Sequence, residues 1–271
     1  MRNLIVILST IFILFEFGCE QVDVISPQTS YKEYTVVRAE LKADKSFGGV
    51  TFTKTLPLDE AYDIKKAELK NVSAFIIING IQVVPLHYTQ DGIYNSLYEF
   101  KIQHGYTYEL YAKVGDKSIY SKTEVPFMPV ILSAEYKSDN HIEVRAKGHA
   151  NEIFGASWVI MSPYTNNILE MSPDFQELVD SPKDSFLTVQ LGTMDVPDKY
   201  RDNVYENSTY VQVFSFDPQY LGYFESRNNN QPINNAFTQG GGQIVWNVQG
   251  NNVIGLFIGY TVSNNYKVPF R

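Results

Sequence analysis

Side chains capable of acid–base, metal or nucleophilic catalysis are spread along this sequence without a catalytic pattern. The four histidines are His87, His104, His141 and His149. None of them is spaced as His-x-His or His-x-x-x-His, the patterns that let one element hold a metal ion. His141 and Glu143 share a strand face and would need a third ligand from another segment. Ser157 lacks the second glycine of a nucleophile elbow. The sequence therefore predicts no catalytic residues, no metal site and no cofactor.

The single cysteine ends an N-terminal segment that is typical of an export signal. Arg2 supplies the positive charge, Leu4 to Phe15 form the apolar run, and Gly18 is the small residue before Cys19. We therefore expect residues 1–18 to be a lipoprotein signal peptide and Cys19 to carry the lipid (palmitate). The alternative is an ordinary signal peptide or membrane anchor followed by a buried cysteine.

Residues 19–30 are expected to form a polar tether from the lipid to the first strand. The apolar run is shorter than the ~20 residues that a membrane-spanning helix needs, whereas two or three acyl chains are enough for stable attachment. We expect a protein anchored to the outer membrane by its lipid. The sequence leaves open whether it faces the periplasm or the cell surface.

The charge pattern argues against a nucleic-acid partner. The net charge is −8 at pH 7, and the lysines and arginines are scattered among acids. A protein that follows phosphates needs a basic stripe. With no second cysteine available for a disulfide, stability must come from a packed core, which a chain of 271 residues can build.

Composition and alternation predict a mainly β fold. The chain has 19 Tyr and 17 Phe, with Asn and Gly between its apolar runs. Apolar alternation from Val72 to Ile78 followed by Asn79-Gly80 predicts a type I′ hairpin, and Gly115-Asp116 predicts a second one. Strand spacing of roughly 8–12 residues is typical of a β-sandwich.

The segment from Val125 to Pro129 is the predicted boundary between two domains. Two prolines stiffen it and remove ladder donors. We therefore predict one β domain over residues 31–128 and a second, β-rich domain over residues 129–271. The second domain is expected to hold one or two short helices, within Pro173 to Val179 and after the N-cap pair Asp217-Pro218.

The chain is predicted to close with two strands, Ile244 to Val248 and Val253 to Val262.

Aromatic side chains are the candidates for contact with a ligand or a partner protein. They are Trp158, Tyr164, Tyr220, Tyr223 and Trp246, next to Asn-rich loops at 228–235 and 247–252. Tyrosine and tryptophan are enriched at interfaces. The alternative is that these rings are core or cross-strand pairs of a β protein.

Several segments between about Tyr34 and Tyr260 carry recognisable strings: Asn79-Gly80, DGIY, HGYTYELYAKVGDKSIYS, VPFMPVI, FDPQYLGYFES and IVWNVQGNNVIGLFIGY. Together these segments resemble a family of Bacteroidetes outer-membrane lipoproteins of unknown function that are commonly encoded beside TonB-dependent receptors. It implies an immunoglobulin-like N-terminal β-sandwich, a second β-rich domain and a place in the cell envelope. It implies no established activity and supplies no catalytic residues.

Three classes of function remain after these exclusions. The first is a non-enzymatic envelope lipoprotein that assists a TonB-dependent transporter in nutrient capture. The second is a glycan- or peptide-binding surface lipoprotein, which should carry a row of exposed aromatic rings on one face of the C-terminal domain. The third is a hydrolase without a recognisable motif, which should show a deep pocket with converging carboxylates or a Ser/His pair.

Overall fold

The computed structural model describes most of the chain beyond the N-terminal 30 residues. The described residues are 31–57, 59–137, 141–162, 164–165, 167–172, 175, 178–180, 187–195, 208–229 and 244–269. Within them the chain forms sixteen strands and two helices, which confirms a mainly β fold. Neither helix is long and apolar enough to cross a membrane, a finding that covers the described residues alone.

The elements up to residue 124 are β1 (Thr35–Lys42), β2 (Val50–Lys54), α1 (Ile64–Ala67), β3 (Val72–Ile78), β4 (Gln82–Tyr88), β5 (Ile93–Asn95), β6 (Thr107–Val114) and β7 (Lys117–Glu124). The elements that follow are β8 (Val130–Tyr136), β9 (His141–Gly148), β10 (Ile153–Met161), β11 (Ile168–Met171), β12 (Val179–Asp180), β13 (Leu187–Asp195), β14 (Thr209–Phe216), α2 (Gln219–Asn229), β15 (Val253–Val262) and β16 (Tyr266–Lys267).

Both predicted hairpins are confirmed. Asn79 and Gly80 have φ of 49° and 68°, the positive values that a type I′ turn requires, and they join β3 to β4. Gly115, with φ of 57°, joins β6 to β7. These turns fix which residues of each hairpin point to the same side.

One long sheet runs through both halves of the chain, in the order β11-β10-β14-β15-β1-β2-β5-β4-β3-β6-β7. The two halves of the chain meet in this sheet at the parallel pair β1–β15, in register from Thr35 opposite Val253 to Lys42 opposite Tyr260. A Cβ atom on Gly255 would lie 1.9 Å from the Val37 carbonyl oxygen, so this ladder leaves room for glycine alone.

Two hydrophobic clusters lie on this framework. The first is built by strands β1 to β7 and by β15, whose Phe257 is fully buried in it. The second lies between strands β10 and β14 and a three-stranded sheet in the order β13-β9-β8, and it contains Trp158. Strand β15 therefore contributes to the first cluster from the far end of the sequence, and the division at residue 128 stays a prediction.

The connector from Val125 to Pro129 is held by a buried carboxylate. Glu152 Oε1 accepts a hydrogen bond from the Phe127 N–H at 3.1 Å, and Oε2 accepts one from Ser215 Oγ at 2.8 Å. Burial raises the pKa of Glu152, while these donors favour its charged form. Glu152 thus fastens the connector to β14.

The predicted strand Ile244 to Val248 is wrong, whereas the last strand is confirmed as β15. Side-chain bonds take the place of a backbone ladder here: Asn247 Nδ2 donates to the Phe257 carbonyl at 2.7 Å, and the Phe257 N–H donates to Asn247 Oδ1 at 2.9 Å. Of the predicted helix from Pro173 to Val179, most residues lie outside the described ones, and Val179 belongs to β12.

Candidate functional site

The predicted lipid site lies outside the described chain, and two of the five predicted contact residues lie apart from the others. Cys19 is outside the described residues, as is most of the Asn-rich loop at 228–235. Trp158 is 4% exposed and packs in the second cluster, so its ring serves as core. Tyr164 is 85% exposed in the turn between β10 and β11.

The other three predicted aromatic residues come together along helix α2. The rings of Tyr220 and Phe216 stack with centroids 4.3 Å apart, Tyr220 lies 5.8 Å from Tyr223, and Tyr223 lies 5.5 Å from Trp246. The Arg227 guanidinium lies 5.8 Å from the centre of the Tyr223 ring. All three predicted residues are half-buried, and ring-to-ring packing accounts for much of their surface.

Helix α2 begins where the sequence predicts, at the cap residue Asp217. Asp217 Oδ1 accepts a hydrogen bond from the Gln219 N–H at 2.9 Å. Asp217 Oδ2 accepts two hydrogen bonds, one from the Thr123 hydroxyl at 3.0 Å and one from the Glu124 N–H at 2.6 Å. Thr123 Oγ1 in turn accepts the Gly259 N–H at 2.8 Å. One buried carboxylate therefore ties α2 to β7 and, through a hydroxyl, to β15.

A second aromatic group lies on the solvent-facing side of β3, β6 and β7, and the sequence did not predict it. Phe75, Tyr111 and Tyr120 are direct cross-strand neighbours. The rings of Phe75 and Tyr111 are nearly parallel with centroids 5.3 Å apart, and Tyr120 lies 5.0 Å from Tyr111. We call these three residues the outer aromatic row; all are partly exposed.

Glu109 organises the polar border of the outer aromatic row. Its Oε2 accepts the Tyr111 hydroxyl at 3.0 Å and the Tyr120 hydroxyl at 3.3 Å, and its Oε1 lies 3.4 Å from Lys122 Nζ. The bond to Glu109 raises the pKa of Tyr111, and burial together with Glu109 raises the pKa of Tyr120. Both tyrosine hydroxyls therefore donate to the same carboxylate oxygen.

A cleft of about 320 Å³ opens at the end of the same face. Its lining is mainly polar and includes Thr107, Lys122, Glu124, Asn151 and Gln219. This volume is at the lower end of the ~300–1,000 Å³ of small-molecule sites. Asp217 also borders the cleft, but both of its oxygens already accept hydrogen bonds from the protein, so its carboxylate acts in structure.

Within the described part of the chain, no three His, Cys, Asp or Glu residues are grouped so that they could hold a metal ion. Compared with protein-family models and with curated proteins, the sequence matches none.

The sequence held enough information to find two of the three residues in the outer aromatic row. The register of the hairpin at Gly115 puts Tyr111 opposite Tyr120, so alternation along that predicted hairpin is the signal that could have found this pair. The pairing of β3 with β6 joins segments about thirty residues apart and follows from no turn, so Phe75 could not be added to the row.

Proposed function

We propose that this protein is a non-enzymatic, lipid-anchored component of the outer membrane that assists a TonB-dependent transporter in capturing a nutrient. The observation that carries this proposal is the N-terminal segment, in which Cys19 follows a charged residue, an apolar run and Gly18. The resemblance of the strand and helix strings to envelope lipoproteins supports it. The polar cleft and the outer aromatic row offer surface for binding.

The proposed fold of the first half is an immunoglobulin-like β-sandwich, with a second β-rich domain after residue 128. Strands β3, β6 and β7 on one side and β1, β2 and β15 on the other contribute buried residues to one cluster, which supports a sandwich. The separate cluster around Trp158 supports a second core.

The test is labelling and co-purification with the full-length protein. Wild type grown with labelled palmitate should take up label and remain in the outer-membrane fraction, whereas Cys19→Ala should lose the label and leave the membrane. Affinity purification of wild type from detergent-solubilised membranes should recover a TonB-dependent transporter. The proposal fails if wild type takes up no acyl chain, or if the acylated protein repeatedly recovers no transporter.

A second candidate function is favoured by one observation. Tyr111 and Tyr120 are partly exposed beside a polar cleft, which fits a surface lipoprotein that binds a glycan or a peptide directly. The predicted aromatic row for this function was on the C-terminal half, whereas the outer aromatic row lies on β3, β6 and β7.

A further inference from the structure

The outer aromatic row and the cleft form one continuous surface. On β6 and β7 the solvent-facing pairs follow in the order Tyr111–Tyr120, Glu109–Lys122 and Thr107–Glu124. The cleft begins at Lys122 of the second pair and includes both residues of the third. Four residues along a strand span about 13 Å, so the surface changes from aromatic to polar over that length before it deepens into the cleft.

The charges on this surface balance. Lys113 and Lys122 face outward on the same side as Glu109 and Glu124, and Lys122 pairs with Glu109. Such a surface attracts neither a polyanion nor a polycation. It offers both donors and acceptors beside ring carbons, the combination that suits a ligand with many hydroxyl groups and an apolar ring face.

A peptide bound by strand addition is disfavoured at this surface. That mode needs unpaired N–H and C=O groups along a sheet edge. On β7 the Tyr120 N–H donates to the Gln249 carbonyl at 3.1 Å, and the Gln249 N–H donates to the Tyr120 carbonyl at 2.8 Å. Ser121 Oγ also donates to the Asn247 carbonyl at 2.9 Å. The middle of this edge is therefore occupied by residues 247–249.

We infer that the outer face of β3, β6 and β7 binds a neutral polysaccharide from the surroundings, with sugar rings against the outer aromatic row and a further sugar unit in the cleft. This inference rests on the proposed function, since it names the chemical class of the captured nutrient. Tyr111 and Tyr120 supply the ring surface, and Lys122 donates to hydroxyl groups beside them. In the cleft, Thr107 and the Gln219 amide oxygen accept from the hydroxyl groups of the further unit, since Gln219 Nε2 already donates to the Lys122 carbonyl at 2.9 Å.

The test uses the full-length lipoprotein in detergent, run through native gels that contain dextran, galactomannan or arabinoxylan, with polygalacturonate as the anionic comparison. We expect at least one neutral polymer to retard wild type. Titration calorimetry with that polymer should then show the dissociation constant raised about tenfold or more in Tyr111→Ala and Tyr120→Ala. The matched control is Tyr62→Ala, a 71% exposed tyrosine in the loop before α1, which should bind within about twofold of wild type.

Tyr120→Phe separates ring contact from folding, because it keeps the ring and loses the bond to Glu109; it should retain most of the affinity. If Tyr111→Ala loses its cooperative melting transition, the variant is not folded and its binding is not compared. Tyr120→Ala and Lys122→Ala then test the inference, which requires their dissociation constants to rise about tenfold or more. The inference is overturned if no neutral polymer retards wild type, if only polygalacturonate does, or if these variants bind like Tyr62→Ala. If the protein co-purifies with a transporter but binds no polymer, this inference is overturned and the transporter role stands. If it binds polymer but co-purifies with no transporter, the transporter role is overturned and this inference stands.

Discussion

Asp217→Ala should destabilise the fold more than the loss of an ordinary helix cap. Asp217 is 4% exposed, and its carboxylate accepts three hydrogen bonds, from the Gln219 N–H, the Glu124 N–H and Thr123 Oγ1. Loss of the cap costs about 1 kcal/mol. Each of the two donors on β7 left without a partner adds about 1–3 kcal/mol. Because water reaches part of this site through the cleft, we expect a total of about 3–5 kcal/mol.

The matched control is Asp63→Ala, which removes the exposed cap of α1 and its single bond to the Lys65 N–H at 2.9 Å. It should cost about 1 kcal/mol or less. Asp217→Asn should fall between the two, since its amide can serve either the helix cap or the Glu124 N–H, but not both.

Urea unfolding followed by tryptophan fluorescence measures all three variants. The corresponding fall in melting temperature for Asp217→Ala is about 6–20 °C for a chain of this size. If Asp217→Ala and Asp63→Ala lose the same stability, Asp217 acts only as a cap and the proposed tie between α2 and β7 is refuted.

Three further perturbations have defined outcomes. Trp158→Ala should lower the free energy of unfolding by about 3–5 kcal/mol, and Trp246→Ala by only about 1–3 kcal/mol, because the first ring is buried and the second is half-buried. Equal falls in melting temperature for the two variants would contradict this. Proteolysis between residues 126 and 129 should give two pieces that stay together in gel filtration, since β15 pairs with β1; separation of the native pieces would contradict it. The raised pKa of Glu152 contributes stability that is fully present below about pH 4.3 and is lost as pH rises through its folded-state pKa. The free energy of unfolding of wild type relative to Glu152→Gln should therefore fall from pH 4 to pH 7, and parallel curves would contradict the assignment.

Local signals explain which elements were predictable. The hairpin at Asn79-Gly80 and the start of α2 at Asp217 depend on a few neighbouring residues, whose backbone preferences act over one turn. For Trp158 the sequence offered both a partner contact and a core position, and the structure confirms the core position. All but the last residue of β10 are buried, so alternation along that strand did not distinguish one face from the other.

Non-local pairing explains what the sequence did not provide. The outer aromatic row needs the β3–β6 register, and the first cluster needs β15, which joins β1 from the opposite end of the chain. No turn or connector specifies either pairing. For the same reason, the predicted strand at Ile244 to Val248 was wrong: the side chain of Asn247, rather than a backbone ladder, holds that segment to β15.

The parallel ladder between β1 and β15 also sets a condition on biogenesis. Ribosomes add about 5–20 residues per second, so Thr35 waits on the order of 10–40 s for its partner Val253 to be synthesised. Throughout that interval one wall of the first cluster is missing. A message truncated before codon 253 would yield a product that never closes this wall. The first cluster can therefore close only after the residues of β15 have been synthesised, although most of its other strands lie in the first half of the chain.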